Sequence, residues 1–143
     1  MVDIKIEKIF PDAILPSYSH PRDAGMDLFS YETYILKPGE RRLFKTGLKV
    51  EIQEGYEMQI RPRSGLALNH GVTVLNTPGT IDAGYRGEVG VILINHGEEV
   101  YSIGKGDKIA QAVISSVERA VLEEVEKLEE SSRGEGGFGS TGR

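Results

Sequence analysis

Short apolar–polar alternations, cut every few residues by turn-forming residues, constrain this chain most. Val2, Ile4 and Ile6 alternate with polar neighbours, as do Leu48, Val50 and Ile52. Met58 with Ile60, and Val72 with Val74, repeat the pattern. Side chains two apart share one face of a strand, so each run predicts a short strand. Val89–Ile94 is nearly continuous in apolar residues and predicts a strand covered on both faces. Ile109 to Ile114 predicts another. Turn signals separate the runs: Lys37-Pro38-Gly39-Glu40, Glu54-Gly55, Pro78-Gly79, Asn95-His96-Gly97 and Gly104-Lys105-Gly106-Asp107. Many short strands at this spacing predict an all-β sandwich or barrel. No internal repeat is evident, which argues against a propeller.

Two stretches depart from that pattern. Ser64-Gly65 ahead of Leu66 to Asn69 predicts a turn or two of helix, with Ser-Gly as its N-cap. Val117, Val121, Val125 and Leu128 fall at helical spacing. Strand alternation fits the same residues, with Val121 and Val125 on one face and Leu122 on the other.

The chain has 143 residues, the size of one domain, and 38% of them are hydrophobic. That supports a core but not a rich one, so oligomerisation is a natural way to bury more apolar surface. Cysteine is absent, which excludes disulfides, thiolate zinc sites and cysteine nucleophiles. His20, His70 and His96 do not stand at metal-ligand spacing. A net charge of −5 argues against broad nucleic-acid binding, yet allows a local basic pocket for a small anion. No run of eighteen apolar residues exists to span a membrane. Met1–Glu7 alternates and lacks the apolar stretch of a signal peptide, so a cytoplasmic protein is expected.

Four internal segments carry groups suited to chemistry. Asp23-Ala24-Gly25-Met26-Asp27-Leu28 sets two carboxylates around a glycine; it reads as a polar turn or as a holder for a hydrated divalent ion. Arg61-Pro62-Arg63-Ser64-Gly65 puts guanidinium groups and a hydroxyl beside a helix start, where backbone N–H groups favour anions. Asn76–Glu88 reads as a decorated hairpin. Within it Asp82, between Ile81 and Ala83, is expected to be partly buried and able to act as a general base toward water. Asn76 and Tyr85 could meet a base edge and a sugar. Gly104–Gln111 is a tight turn before a strand, with Gln111 able to offer its amide to a phosphate.

The last eleven residues, Arg133 to Arg143, hold five glycines, two arginines, Phe138 and the hydroxyls of Ser140 and Thr141. Such composition suits a frayed terminus, or an arm that closes over a nucleotide. Gly134–Gly139 matches G-x-G-x-x-G, but the four residues after Gly139 cannot supply the helix that fingerprint needs.

In this order the segments resemble the five motifs of the trimeric dUTP diphosphatases, the dUTPases. Asp23–Leu28, Pro62–Ala67, Gly79–Glu88, Gly106–Gln111 and Arg133–Gly142 correspond to the motifs in sequence. The resemblance runs from about residue 20 to the end of the chain. It implies a distorted jelly-roll-like β-barrel or sandwich with one short helix, in a homotrimer whose three sites are shared between chains. It implies a β domain over residues 1–130 and a flexible arm over 131–143 that completes a neighbouring subunit's site. The implied reaction is Mg²⁺-dependent hydrolysis of dUTP to dUMP and pyrophosphate. By the same resemblance, Asp82 would activate the water that attacks the α-phosphorus. Asn76 and the backbone of the Leu75–Tyr85 hairpin, Thr80 and Ile81 included, would read the uracil edge. Tyr85 would pack under deoxyribose. Arg63, Ser64, Gly65 and Gln111 would hold phosphates, and Asp27 would reach Mg²⁺ through water. Arg133, Ser140 and Thr141 would grip the distal phosphates while Phe138, with Gly139 beside it, covers uracil. The resemblance also places a β-strand near Ala120–Val125, against the helical spacing. A dCTP deaminase-like enzyme of the same fold and a non-catalytic dUTP-binding sensor are the alternatives.

Overall fold

The computed structural model describes residues 1–142; Arg143, the last residue of the tail motif, lies outside the described residues. Its elements are β1 (Ile4–Lys8), β2 (Gly25–Phe29), β3 (Tyr34–Leu36), β4 (Arg41–Ile52), β5 (Tyr56–Arg61), α1 (Ser64–His70), β6 (Val72–Val74), β7 (Gly79–Ile81), β8 (Glu88–Asn95), β9 (Tyr101–Ile103) and β10 (Lys108–Ser116). One sheet runs β1-β4-β8-β6, a second runs β2-β10-β5-β7, and β3 pairs with β9. Every pairing is antiparallel. This is the expected all-β, jelly-roll-like sandwich with one short helix. No helix among the described residues is long and apolar enough to cross a membrane.

The alternation read in the sequence is what closes the sandwich. Phe44, Val50 and Ile52 of β4, with Val89, Val91 and Leu93 of β8, face Leu28, Met58, Ile60 and Ala112 of the second sheet in one buried core. Burying each large aliphatic side chain contributes about 1.5–3 kcal/mol. β8 is buried on one face only: Val89, Val91, Leu93 and Asn95 are buried, while Gly90, Ile92 and Ile94 are half-buried. The expectation of two covered faces therefore fails among the described residues, which leave the outer face only half covered.

Two irregularities decide which side chains reach the outer surface. Between Lys45 and Lys49, four steps along β4 face two along β8, with Gly47 at φ 73°. Because two residues are added, the alternation holds through the irregularity: Phe44 and Leu48 are buried and Lys45 is exposed. Between Lys108 and Ala110, two steps along β10 face one along β2, a single-residue bulge. Ile109 and Ala110 are consequently both buried, and Lys108 is turned outward. Bulges commonly re-aim a side chain in this way.

Three further expectations need correction. The helix forms, but Arg63, extended at φ −94° and ψ 128°, is its N-cap and makes no side-chain cap bond. Ser64 is instead the first helical residue. Residues 75–85 are not a two-stranded hairpin, since β6 pairs with β8 in one sheet and β7 with β5 in the other. The loop between them crosses sheets and contains a cis Thr77–Pro78 peptide bond. Residues 120–125 form neither the expected strand nor a helix. The N–H of Val117 donates to the Gly55 carbonyl at 2.9 Å, the last backbone bond that ties this end to the body. Beyond it no strand of the same chain lies alongside, so there is no ladder to join.

Candidate active site

The sheet-crossing loop gathers the third-motif residues. Thr80, Ile81, Asp82 and Tyr85, with Gly90 of β8, line one open cavity of about 270 Å³. β7 supplies Thr80 and Ile81, and pairing of Ile81 with Met58 buries the isoleucine while Thr80 faces out. The Tyr85 N–H donates to the Asp82 carbonyl at 3.0 Å, closing a tight turn. The Tyr85 hydroxyl donates to the Glu88 carbonyl at 3.0 Å, which folds the ring back over Gly87. A Cβ at position 87 would lie 2.3 Å from that hydroxyl oxygen, so only glycine admits this ring position. Arg86 donates to the carbonyls of Ala83 (2.7 Å) and Tyr85 (3.0 Å) and braces the turn. Asn76 lies close by, its amide 3.3 Å from where a Gly79 Cβ would sit.

Asp82 is exposed rather than partly buried. It lies one residue past the end of β7, outside the sheet that buries Ile81. Its carboxylate takes no hydrogen bond or ion pair among the described residues. It also edges a second groove of about 390 Å³ with Glu54, Glu57, Val117 and Arg119.

A different cluster forms on the outer face of the second sheet. Register places Gln111 opposite both Asp27 and Arg61, so these three side chains share that face. Asp27 is 13% exposed and sits among cations: Lys108 Nζ is 2.7 Å from Oδ2, and Arg63 Nε is 3.6 Å from Oδ1. Ser19 Oγ donates to Oδ2 at 2.9 Å. Burial pushes the Asp27 carboxyl upward, but the Lys108 and Ser19 bonds and the two positive charges outweigh it and hold it below the ordinary 3.8. Arg63 Nη1 also donates to the Lys108 carbonyl at 3.3 Å. The Gln111 amide donates to the Pro62 carbonyl at 3.1 Å, and its Oε1 lies where a Gly25 Cβ would come within 2.4 Å. Ser64 and Gly65 lie exposed at the helix start beside Arg63. Two cations against one carboxylate, next to free helical N–H groups, make a surface that suits an anion.

Among the described residues, no three His, Asp or Glu side chains converge to hold a metal. Asp27 fits a hydrated ion that keeps most of its waters, and does not fit a metal caged by protein ligands.

The tail makes bonds only with itself among the described residues. Arg133 Nε donates to the Gly136 carbonyl at 2.7 Å, and Ser140 N–H donates to the Gly137 carbonyl at 3.0 Å. Phe138, at φ 49°, is fully exposed. Gly139, Ser140 and Thr141 are likewise exposed. No hydrogen bond or ion pair joins the tail, the Asp82 cavity and the Asp27 cluster to one another among the described residues. One chain thus holds three separate parts of the expected site.

Lys108, Ser19, Gly87 and Gly90 have places in these clusters that local sequence does not reveal. Lys108 stands inside a quoted motif, but simple alternation puts it on the wrong face; only the bulge reveals it. Gly90 reads as an ordinary strand glycine until the cavity is seen. A Cβ there would meet Leu43 Cδ1 at 2.6 Å.

Comparison with known proteins places the chain in a family. A family model described as dUTPase matches residues 11–142. A deoxyuridine 5'-triphosphate nucleotidohydrolase of Clostridium tetani (strain Massachusetts / E88) is 61% identical over 140 residues, covering 98% of this chain and 97% of that protein. One of Nautilia profundicola is 58% identical, covering 98% and 99%. Among solved structures, a Staphylococcus bacteriophage 80alpha dUTPase with dUpNHpp superposes with a TM-score of 0.91 at 33% identity, covering 99% of each chain. A mutant dUTPase from phage phi11 of S. aureus, described with a structural Mg(II) ion, superposes at 0.83 with 30% identity, covering 90% of this chain and 99% of that one. With the motifs in order, the fold matched and the identity sustained over nearly its whole length, this chain belongs to the dUTPase family.

Proposed function

We infer that this protein hydrolyses dUTP to dUMP and pyrophosphate. The observation that carries the inference is the exposed, unpaired Asp82 carboxylate at the edge of the cavity lined by Thr80, Ile81 and Tyr85. A carboxylate so placed can take a proton from a water beside a nucleotide seated against Tyr85. The water oxygen bonds to the α-phosphorus, the bond to the bridging oxygen of the β-phosphate breaks, and pyrophosphate leaves with that oxygen. The water's proton passes to Asp82. Asn76 and the backbone at Thr80 and Ile81 read the uracil edge, and Tyr85 packs under deoxyribose, leaving no space for a 2'-hydroxyl. Reading a base by its hydrogen bonds rejects cytosine strongly, since a mismatched polar group is left unpaired.

Arg63, Ser64, Gly65 and Gln111 bind and orient the triphosphate, offsetting charge that would repel the nucleophile. Mg²⁺ bound with the triphosphate would supply further charge neutralisation, and Asp27 is the residue that would hold it through water. Arg133, Ser140 and Thr141 grip the distal phosphates, and Phe138 with Gly139 covers the uracil, so the 131–143 arm excludes water as a lid. The arm is mobile when the site is empty and belongs to a neighbouring subunit's site.

A homotrimer with shared sites is part of this reading. Its support is the separation of the Asp82 cavity from the Asp27 cluster within one chain. Val121, Leu122 and Leu128 are also 97%, 91% and 80% exposed on a segment without a strand partner, surface that a neighbour would cover.

The test is pyrophosphate and ammonia release from a panel of deoxynucleoside triphosphates, with and without Mg²⁺. Pyrophosphate from dUTP alone is expected. Ammonia from dCTP would favour the deaminase alternative, and dUTP binding without turnover the sensor. Asp82→Asn should keep dUTP binding and lose turnover by about a hundredfold or more. Parental turnover in that variant would remove Asp82 from the general-base role.

A further inference from the structure

Lys108 reaches Asp27 only because of the β10 bulge. Plain alternation from Gln111 would turn Ile109 outward and Lys108 into the core; the extra residue reverses both. The backbone is thus shaped to bring this ammonium 2.7 Å from Asp27 Oδ2, on a side chain still 42% exposed. The turn ahead of it is pinned. Gly106 N–H donates to the Ser30 carbonyl at 2.7 Å, and Ser30 N–H donates to the Asp107 carbonyl at 2.9 Å. Asp107 Oδ2 in turn accepts the Gly104 N–H at 2.8 Å. Arg63 holds the Lys108 carbonyl from the other side.

Asp27 is therefore already satisfied by cations. A divalent ion approaching it meets two positive charges within 4 Å of the carboxylate. Each repels an incoming cation, more strongly the less water lies between them. We propose that Lys108 is a place-holding cation, which occupies Asp27 while the site is empty and yields it only to an ion that arrives with a triphosphate. Lys108 thereby couples metal binding to nucleotide binding and keeps metal off the empty site. The proposal rests on the functional reading above, in that it takes Asp27 to face the metal's water shell.

The full-length protein is titrated with Mn²⁺ and free ion followed by electron paramagnetic resonance, with and without a non-hydrolysable dUTP analogue. The parent should bind Mn²⁺ at least about tenfold more weakly without the analogue. Lys108→Met should raise nucleotide-free Mn²⁺ affinity by about tenfold, the order expected for removing one nearby like charge at a half-exposed site. Adding Asp27→Asn should abolish that gain, and Lys108→Arg should behave as the parent. Unchanged Mn²⁺ affinity in Lys108→Met, or a gain that survives Asp27→Asn, overturns the proposal. So does tight Mn²⁺ binding by the nucleotide-free parent. The titration needs no turnover, so failure to hydrolyse dUTP sinks the functional reading separately.

Discussion

Individual side chains in this protein take positions that a glycine opposite leaves open. Gly87 exists for the Tyr85 ring, and Gly25 for the Gln111 amide. Neither requirement is visible in the motifs, where a glycine looks the same whatever occupies the space above it. Charge is arranged just as locally. In the Lys37–Glu40 turn, Tyr34 donates its hydroxyl to Glu40 Oε1, and Lys37 N–H donates to Oε2 at 2.8 Å. The tyrosine bond first, then the backbone bond, holds the Glu40 carboxyl below its ordinary 4.5. A carboxyl lowered by folding adds stability that is complete above its unfolded value. That stability is lost as pH falls through the folded value. Unfolding of the parent and of Tyr34→Phe should therefore differ at neutral pH, and the gap should close as pH falls below the ordinary 4.5 and through the lowered folded value. A gap that stays constant down to acid would show that the hydroxyl does not act through Glu40.

Elements behave differently according to whether they have neighbours. Strand runs with at least one partner strand formed where alternation predicted them. The 117–130 segment satisfies both strand and helix periodicity and is neither, because β structure needs a second backbone to bond and an amphipathic helix needs a surface for its apolar stripe. In this chain it has neither partner. The arm from residue 131 onward likewise bonds only to itself among the described residues, so the sandwich does not depend on it. Truncation after Ser132 should leave thermal unfolding within a few degrees of the parent, while dUTP turnover falls by about a hundredfold or more. Undiminished turnover in the truncated protein would sink the lid role.

At the scale of the whole molecule, the exposed apolar segment, the half-buried outer face of β8 and the divided site all point beyond one chain. If sites are shared, damage to different parts can be complemented. Asp82→Asn and Arg63→Ala proteins should each be nearly inactive. Unfolding and refolding them together should restore dUTP hydrolysis, because mixed trimers contain sites with an intact Asp82 from one chain and an intact Arg63 from another. Activity that stays absent in the mixture, with mixed oligomers verified by mass, would mean that each site is built within a single chain.

Periodicity and turn chemistry by themselves determined the all-β class, most strand positions and the short helix, since these depend on residues near one another in the chain. The five motifs were legible too, and the family they pointed to is the one the chain belongs to. Tertiary structure alone decided which of those residues meet. The β10 bulge turns Lys108 onto Asp27, the sheet-crossing loop sets Asp82 in the open beside Tyr85, and the lack of a partner strand leaves residues 117–130 without regular structure. Each depends on pairing between segments far apart in sequence, where a shift of one residue exchanges the inner and outer faces.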